Sequence, residues 1–141
     1  MPPPTADIPD VSPADAYDAL MKGDARLVDV RTRAEWTFVG LPDLSGTANE
    51  LLLLEWQVFP DMAIDPEFGQ TLESACPHKA TALYFLCRSG ARSLSAAREM
   101  KSRGYEHVYN VADGFEGPPD GAGQRGKLAG WKASSLPWRQ T

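Results

Sequence analysis

The residues with the clearest chemical potential lie together near the middle of the chain. Positions 87–93 are, in order, Cys87, Arg88, Ser89, Gly90, Ala91, Arg92 and Ser93. They join a nearly all-apolar segment, 81–86, to a segment with helical spacing. A glycine in such a turn lets backbone N–H groups converge, and the positive end of the following helix adds to them. Such groups, with flanking arginines, are the conditions that lower the pKa of a thiol. We therefore expect Cys87 to be a nucleophile and residues 88–93 to bind its substrate.

The charge around this cysteine favours a small anionic substrate. Segment 87–103 contains five basic residues and one acidic residue, although the whole chain has a net charge of −5. A local cationic patch attracts anions. In the simpler alternative, Cys87 only packs at the end of a strand and the arginines form a solvated helix face.

Short apolar segments alternate with helical patterns along the chain. Helices are predicted over 13–22, 33–37, 66–76 and 91–103, and strands over 26–30, 81–86 and 107–111. The first helix has Ser12 as a suitable N-cap residue and Gly23 just past its end. Strands separated by helices form parallel sheets through right-handed crossovers. The pattern therefore predicts an α/β fold, a three-layer sandwich whose mostly parallel central sheet is flanked by helices.

The ends of the chain and one loop differ in composition from this core. Five prolines among the first 13 residues predict a proline-rich leader over 1–11, and residues 139–141 are predicted to be a tail. Between them lies a single domain, 12–138. Segment 116–127, with four glycines and two prolines, is predicted to be a loop insertion. It would be either a flap over the mouth of the active site or a spacer without a role.

Overall composition excludes several classes of function. The acidic balance, with a pI near 5.0, argues against nucleic acid as a partner. The longest aliphatic run covers residues 51–54, far short of the ~20 residues that span a bilayer, so no membrane contact is predicted. The N-terminal residues lack the pattern of a secretory signal, which predicts a cytoplasmic location and reduced cysteines.

The cysteines and histidines predict neither a metal site nor a disulfide. Cys76 and His78 are two potential ligands without a convergent second pair, and His107 is isolated. A strand between Cys76 and Cys87 would hold their Cα atoms farther apart than the ~7 Å that a disulfide allows.

Segment 87–93 resembles the signature Cys-Arg-x-Gly-x-Arg-[Ser/Thr] of rhodanese-like domains. Two further motifs are similar to motifs of that family, namely Asp29-Val30-Arg31 with the later Glu35, and Asp113-Gly114-Phe115 with the later Gly130-Trp131. The resemblance spans about residues 12–138. It departs from the family at residues 38–44, which lack the usual histidine, and at the insertion 116–127.

The resemblance implies a rhodanese-like sandwich and a sulfurtransferase activity. Such an enzyme moves sulfane sulfur from thiosulfate or another persulfide donor to an acceptor through a persulfide on its cysteine, here Cys87. The acceptor is a thiol, a protein sulfur acceptor or cyanide. It implies no metal and no organic cofactor. Arg88 and Arg92 would hold the oxygen atoms of the donor. Asp29, Arg31 and Glu35 would support the site, as a cluster of ion pairs that braces the loop rather than as catalytic groups.

Two other functions stay open from the sequence. A cysteine-dependent phosphatase or arsenate reductase uses the same kind of anion site and thiolate. The same fold also serves as a binding or regulatory module without catalysis. Phosphatases of this chemistry have five residues between cysteine and arginine, whereas four separate Cys87 from Arg92. The smaller ring of N–H groups suits one added sulfur atom better than a tetrahedral group, which favours sulfur transfer.

Overall fold

A five-stranded parallel sheet lies at the centre of the molecule. The computed structural model describes residues 8–23, 25–47, 49–58, 61–88 and 90–140. In chain order the elements are β1 (Asp10–Val11), α1 (Pro13–Lys22), β2 (Ala25–Asp29), α2 (Arg33–Phe38), β3 (Leu41–Pro42), β4 (Leu51–Leu53), β5 (Gln57–Val58), β6 (Ala63–Ile64), α3 (Phe68–Ala75), β7 (Ala82–Leu86), α4 (Ala91–Ser102), β8 (Val108–Val111) and β9 (Trp138–Arg139). The central sheet has the order β1-β8-β7-β2-β4, and every neighbouring pair is parallel.

Buried side chains alternate between the two faces of this sheet. On one face, Val28 and Phe85 pack with residues of α3 and α4. On the other face, Leu27 and Leu86 pack with residues of α1 and with Trp131 of the C-terminal segment. Successive side chains of a strand point to opposite faces, so these strands need cover on both sides. The predicted three-layer α/β sandwich is confirmed.

Local hydrogen bonds decide where two of the helices begin. Helix α1 has the predicted bounds, with Ser12 as its N-cap residue. Helix α3 begins at Phe68 rather than at residue 66. The Asp65 carboxylate accepts the backbone N–H of Glu67 at 2.9 Å, which holds a turn just before the helix. This competing turn shortens the predicted helix at its start.

The ends of the chain take part in pairing that the sequence analysis did not predict. Strand β1 pairs with β8, so residues 10 and 11 belong to the sheet, and Ile8 is buried in the core, which makes residues 8–11 part of the fold rather than of a leader. Residues 1–7 of the predicted leader lie outside the described residues. Strand β9 pairs with β3, which brings Arg139 of the predicted tail against Leu41. Each of these segments has two residues of extended backbone, which form hydrogen bonds with a strand that has an unpaired side.

The insertion 116–127 closes on itself at its base. None of its residues, all of which the structure describes, lies in a helix or strand. The N–H of Gly126 donates to the carbonyl of Glu116 at 2.6 Å, and the Arg125 guanidinium donates to the carbonyl of Gly117 at 2.6 Å. The two ends of the insertion are therefore adjacent.

The turn after β8 packs on the backbone that follows β7. The N–H of Phe115 donates to the carbonyl of Cys87 at 2.8 Å, and the N–H of Glu116 donates to the carbonyl of Arg88 at 3.0 Å. Gly114 lies at this contact with φ of +60°, and a Cβ there would stand 2.3 Å from the Cys87 carbonyl oxygen. The approach leaves room only for glycine.

Replacing Gly114 with alanine is expected to destabilise the protein. The methyl group would overlap the backbone of Cys87, and an L side chain is strained at this φ. We expect the free energy of unfolding, measured by urea denaturation, to fall by about 1–3 kcal/mol. Gly121→Ala is the control, because a Cβ at Gly121 meets nothing within 4 Å. Equal stabilities for the two variants would contradict this account.

Candidate active site

The Cys87 thiol lies at the carboxyl end of β7, beneath the surface. The residue is 1% exposed. Its Sγ accepts a hydrogen bond from the backbone N–H of Gly90 at 3.1 Å and lies 3.2 Å from the hydroxyl oxygen of Ser93. Gly90 is the N-cap residue of α4 and has φ of +118°. The structure thus brings Cys87, Gly90 and Ser93 together at the first turn of α4, where an N–H group points at the sulfur.

The remaining residues of the signature segment lie in different environments. Arg88 and Ala91 are exposed, and Arg92 is partly buried. Ser89 lies outside the described residues. Arg88 is therefore the more exposed of the two arginines in this segment.

Arg92 forms a bidentate ion pair with Glu35 of α2. Its Nη1 donates to Oε1 at 2.6 Å and its Nη2 donates to Oε2 at 2.9 Å. Glu35 also belongs to the capping box that begins α2, in which it exchanges hydrogen bonds with Thr32. The pair therefore ties the first turn of α4 to the first turn of α2.

The environment of this pair favours its charged state. Burial by itself would raise the pKa of the Glu35 carboxyl. The hydrogen bonds and charge of Arg92, with hydrogen bonds from Thr32, outweigh that effect and hold this pKa below its usual value of 4.5. The hydrogen bonds that Arg92 donates to Glu35, in turn, raise the pKa of Arg92.

The positive charge of segment 87–103 is partly balanced by acidic residues from elsewhere in the chain. Glu35 pairs with Arg92, and Glu73 of α3 pairs with Arg103. The cationic patch expected from the sequence is correspondingly weaker, because acidic residues distant in sequence fold against it.

Asp29 and Arg31 form a separate, fully buried ion pair. Nη2 of Arg31 donates to Oδ2 of Asp29 at 2.7 Å and to the carbonyl of Gly40 at 2.8 Å. Its guanidinium carbon lies 4.3 Å from the centre of the Phe115 ring. The expected cluster of Asp29, Arg31 and Glu35 is thus two separate pairs, since Glu35 bonds to Arg92. The buried pair joins the segment after β2 to the turn after β8.

The structure adds Asn110 and Asp10, which the sequence analysis did not single out. Asn110 lies on β8, where its Oδ1 is 2.5 Å from the hydroxyl oxygen of Ser93 and its Nδ2 donates to Asp10 of β1 at 3.0 Å. One signal was available in the sequence. An amide within the predicted strand 107–111 has to find hydrogen-bond partners if it is buried.

A cleft of about 510 Å³ opens at the same edge of the sheet. Its walls are the first turn of α2, including Glu35, together with Glu55, Val58 and Met62. Because Glu35 is both a wall of the cleft and the partner of Arg92, the cleft adjoins the segment that carries Cys87.

The other cysteine lies in the core. Cys76 is buried at the end of α3, and its carbonyl accepts the hydroxyl of Tyr105. Both cysteines are free.

Within the part of the chain that the structure describes, no three His, Cys, Asp or Glu side chains converge as a metal site would require. No helix of the described residues has the length and apolar character to cross a membrane.

Comparison with known proteins identifies the family. The family model for the rhodanese-like domain matches residues 12–117. The chain belongs to this family. An uncharacterized protein of Rickettsia rickettsii is 42% identical to this rhodanese-like domain over 126 residues, which are 88% of this chain and 91% of that protein. The crystal structure of Rv0390 from M. tuberculosis is similar with a TM-score of 0.85 and 43% identity, covering 94% of this chain and 97% of that chain.

More distant structures share the fold. The polysulfide-sulfur transferase homodimer of Wolinella succinogenes is similar to this domain with a TM-score of 0.65 and 20% identity, covering 98% of this chain and 82% of that chain. A Rhodopseudomonas palustris protein described as a possible tyrosine phosphatase is similar with a TM-score of 0.56 and 21% identity, covering 96% and 88%. At these identities the similarity shows the fold alone.

The Glu35–Arg92 pair is expected to stabilise the protein in a pH-dependent way. Glu35→Gln keeps a residue suited to the capping box but removes the charge that Arg92 pairs with. We expect a loss of about 1–3 kcal/mol at neutral pH. The pKa of Glu35 is lowered from 4.5 in the folded state. The contribution of the pair to stability is therefore fully present above pH 4.5, and it is lost as the pH falls from there through the lowered pKa of the folded protein. Thermal unfolding of both proteins at neutral and at acidic pH measures the difference.

The control for this prediction is Glu106→Gln, which removes an exposed carboxylate elsewhere on the surface. It should change stability little at either pH. A difference between Glu35→Gln and the unmodified protein that is the same at neutral and acidic pH would rule out the pair as its cause.

Proposed function

We propose that this rhodanese-like domain is a sulfurtransferase with Cys87 as its sulfur carrier. The observation that carries the proposal is the contact of Cys87 Sγ with the N–H of Gly90 at 3.1 Å, at the N-terminus of α4. A thiolate or persulfide there receives a hydrogen bond and the positive end of the helix. No metal or organic cofactor takes part in the proposed reaction.

The reaction has two steps without net oxidation or reduction. The Cys87 thiolate attacks the outer sulfur of thiosulfate or another persulfide donor. A bond forms between the two sulfur atoms, the S–S bond of the donor breaks, and with thiosulfate the leaving group is sulfite. An acceptor thiolate or cyanide then attacks the outer sulfur of the persulfide, and the Cys87 thiolate leaves.

The two arginines of the signature segment have different parts in this proposal. Arg88 is exposed beside the cysteine and is available to contact the oxygen atoms of an anionic donor. Arg92 gives two N–H groups to Glu35, and a guanidinium carries five, so it keeps donors for a second contact while holding the segment in position. Ser89, Gly90, Ala91 and Ser93 would complete the binding site with backbone and hydroxyl groups.

Family membership supports sulfur transfer as the class of reaction. The Wolinella protein with the same fold is named as a polysulfide-sulfur transferase, which is consistent with a persulfide donor here. The phosphatase alternative fits less well, because only four residues separate Cys87 from Arg92. A cytoplasmic location would suit the proposal, since the Cys87 thiol has to stay reduced between turnovers.

Cys87 is expected to be the only essential nucleophile. Incubation with thiosulfate should add the mass of one sulfur atom to the intact protein, with the addition on Cys87 by peptide mass spectrometry. Cys87→Ser should abolish this addition and the transfer to cyanide, because the hydroxyl is far less nucleophilic than a thiolate. Cys76→Ser is the matched control and should behave as the unmodified protein, because Cys76 lies in the core.

Two results would contradict the proposal. One is continued sulfur transfer by Cys87→Ser. The other is hydrolysis of an aryl phosphate with a kcat/KM as high as that of thiosulfate:cyanide transfer, which would favour the phosphatase. If Cys87 takes up no sulfur from thiosulfate, polysulfide or a low-molecular-weight persulfide, the domain is a binding module.

We also propose that insertion 116–127 is a flap that influences the acceptor. Its first residue donates a backbone hydrogen bond to Arg88, next to Cys87, and its ends are hydrogen-bonded to each other. Replacing residues 118–125 with a Gly-Ser link should therefore leave the fold intact and keep persulfide formation. We expect KM for a thiol acceptor to change by about threefold or more in steady-state assays with several thiols. Unchanged kinetics for every acceptor would make the segment a spacer.

A further inference from the structure

A chain of hydrogen bonds leads from the Cys87 thiol to the edge strand β1. Ser93 Oγ lies 3.2 Å from Sγ, Asn110 Oδ1 lies 2.5 Å from Ser93 Oγ, and Asn110 Nδ2 lies 3.0 Å from Asp10 Oδ1. Ser93 and Asn110 are buried, with 0% and 5% exposure, whereas Asp10 is exposed. The parallel register of β1 and β8 places Asp10 opposite Asn110. The chain thus links the reactive sulfur to a surface residue on another element.

The surroundings allow one orientation of the Asn110 amide. Its Nδ2 faces two acceptors, the carboxylate of Asp10 and the carbonyl of Gly90 at 3.3 Å, so the nitrogen has to lie on that side. Oδ1 accordingly faces Ser93. An amide oxygen only accepts hydrogen bonds, so at 2.5 Å the Ser93 hydroxyl donates its single proton to Asn110.

The other acceptor near the Ser93 hydroxyl is already engaged. The Gly90 carbonyl lies 3.1 Å from Ser93 Oγ, but it accepts the backbone N–H of Leu94 at 3.2 Å as well as the Asn110 amide. With its proton directed to Asn110, Ser93 offers lone pairs to the sulfur. A protonated Cys87 can donate its S–H to them, whereas a thiolate cannot.

We propose that Asn110, oriented by Asp10, is a positioning residue that directs the Ser93 hydroxyl proton away from the sulfur of Cys87. Asn110 thereby favours the less reactive thiol form, and the thiolate gains the Ser93 donor only when the hydroxyl turns away from Asn110. The proposal rests on the proposed function only in taking Cys87 as the reacting group. The step is a rotation of one hydroxyl group, in which no covalent bond forms or breaks.

The rate of Cys87 alkylation by iodoacetamide tests this proposal. Peptide mass spectrometry at neutral pH assigns the reaction to Cys87. Asn110→Ala should raise the rate roughly three- to tenfold, the effect of one hydrogen bond gained by the thiolate. In a Ser93→Ala background the same change should have no effect, because no hydroxyl remains to turn. In a Ser93→Thr background, which keeps the hydroxyl, the rise should return.

This comparison separates positioning from mere loosening of the structure. A looser structure would expose Cys87 with or without the hydroxyl, so an equal rise in the Ser93→Ala background would overturn the proposal. An unchanged rate in Asn110→Ala would do the same. Arg92, which interacts electrostatically with Cys87 and Asp29, and its partner Glu35 are unchanged in all of these variants.

Asn49→Ala is a matched control for the loss of a buried amide. Asn49 is 7% exposed and donates to the carbonyls of Leu20 and Gly23, at the end of α1. Its replacement should destabilise the protein without changing the alkylation of Cys87 in the folded state. A rise in Asn49→Ala equal to that in Asn110→Ala would count against the proposal.

Asp10 offers a second route if Asn110→Ala does not fold. Asp10→Ala alters an exposed residue and should produce a smaller rise of about twofold, because Asn110 loses one of the two acceptors that orient it. Asp10→Asn keeps an acceptor oxygen and should react as the unmodified protein. Identical rates for Asp10→Ala and Asp10→Asn would contradict the role of Asp10.

Alkylation needs no sulfur donor, so its outcome is independent of whether Cys87 takes up sulfur from thiosulfate.

Discussion

The parallel pairing of β2 with β7 determines where the candidate active site lies. Asp29 is opposite Leu86, and the N–H of Val30 donates to the carbonyl of Leu86 at 2.9 Å, so the two strands end at one level of the sheet. Both strands are covered on their two faces and have little freedom to shift. The buried Asp29–Arg31 pair and the Cys87 thiol therefore meet at the same edge.

Polar contacts then connect this edge to the surrounding elements. The Glu35–Arg92 pair ties the first turns of α2 and α4 together, and the guanidinium of Arg31 joins the segment after β2 to the Phe115 ring. Burying charges costs solvation free energy, so such pairs are better understood as specifying one arrangement than as a large source of stability. These contacts hold the first turns of α2 and α4, and the segment after β2, in a single arrangement near Cys87.

Backbone contacts complete the surroundings of Cys87. The turn after β8 donates hydrogen bonds to the carbonyls of Cys87 and Arg88, and Gly114 permits the close approach. Insertion 116–127 begins at this turn. A displacement of the insertion would consequently reach the backbone beside the sulfur directly, while Asn110 of β8 reaches the same sulfur through Ser93.

The sequence by itself determined the sandwich, most of the helices and interior strands, and the position of Cys87 between a strand and a helix. Helix caps, apolar strands and the segment 87–93 are patterns among residues that are close in sequence, so they can be recognised without the structure. The short strands β1, β3, β4, β5, β6 and β9 were missed because two or three residues carry no periodicity. Only the tertiary structure decided that Glu35 pairs with Arg92 and that Asn110 reaches Ser93. Those partners lie 57 and 17 residues apart, and their contacts depend on how the sheet and helices pack.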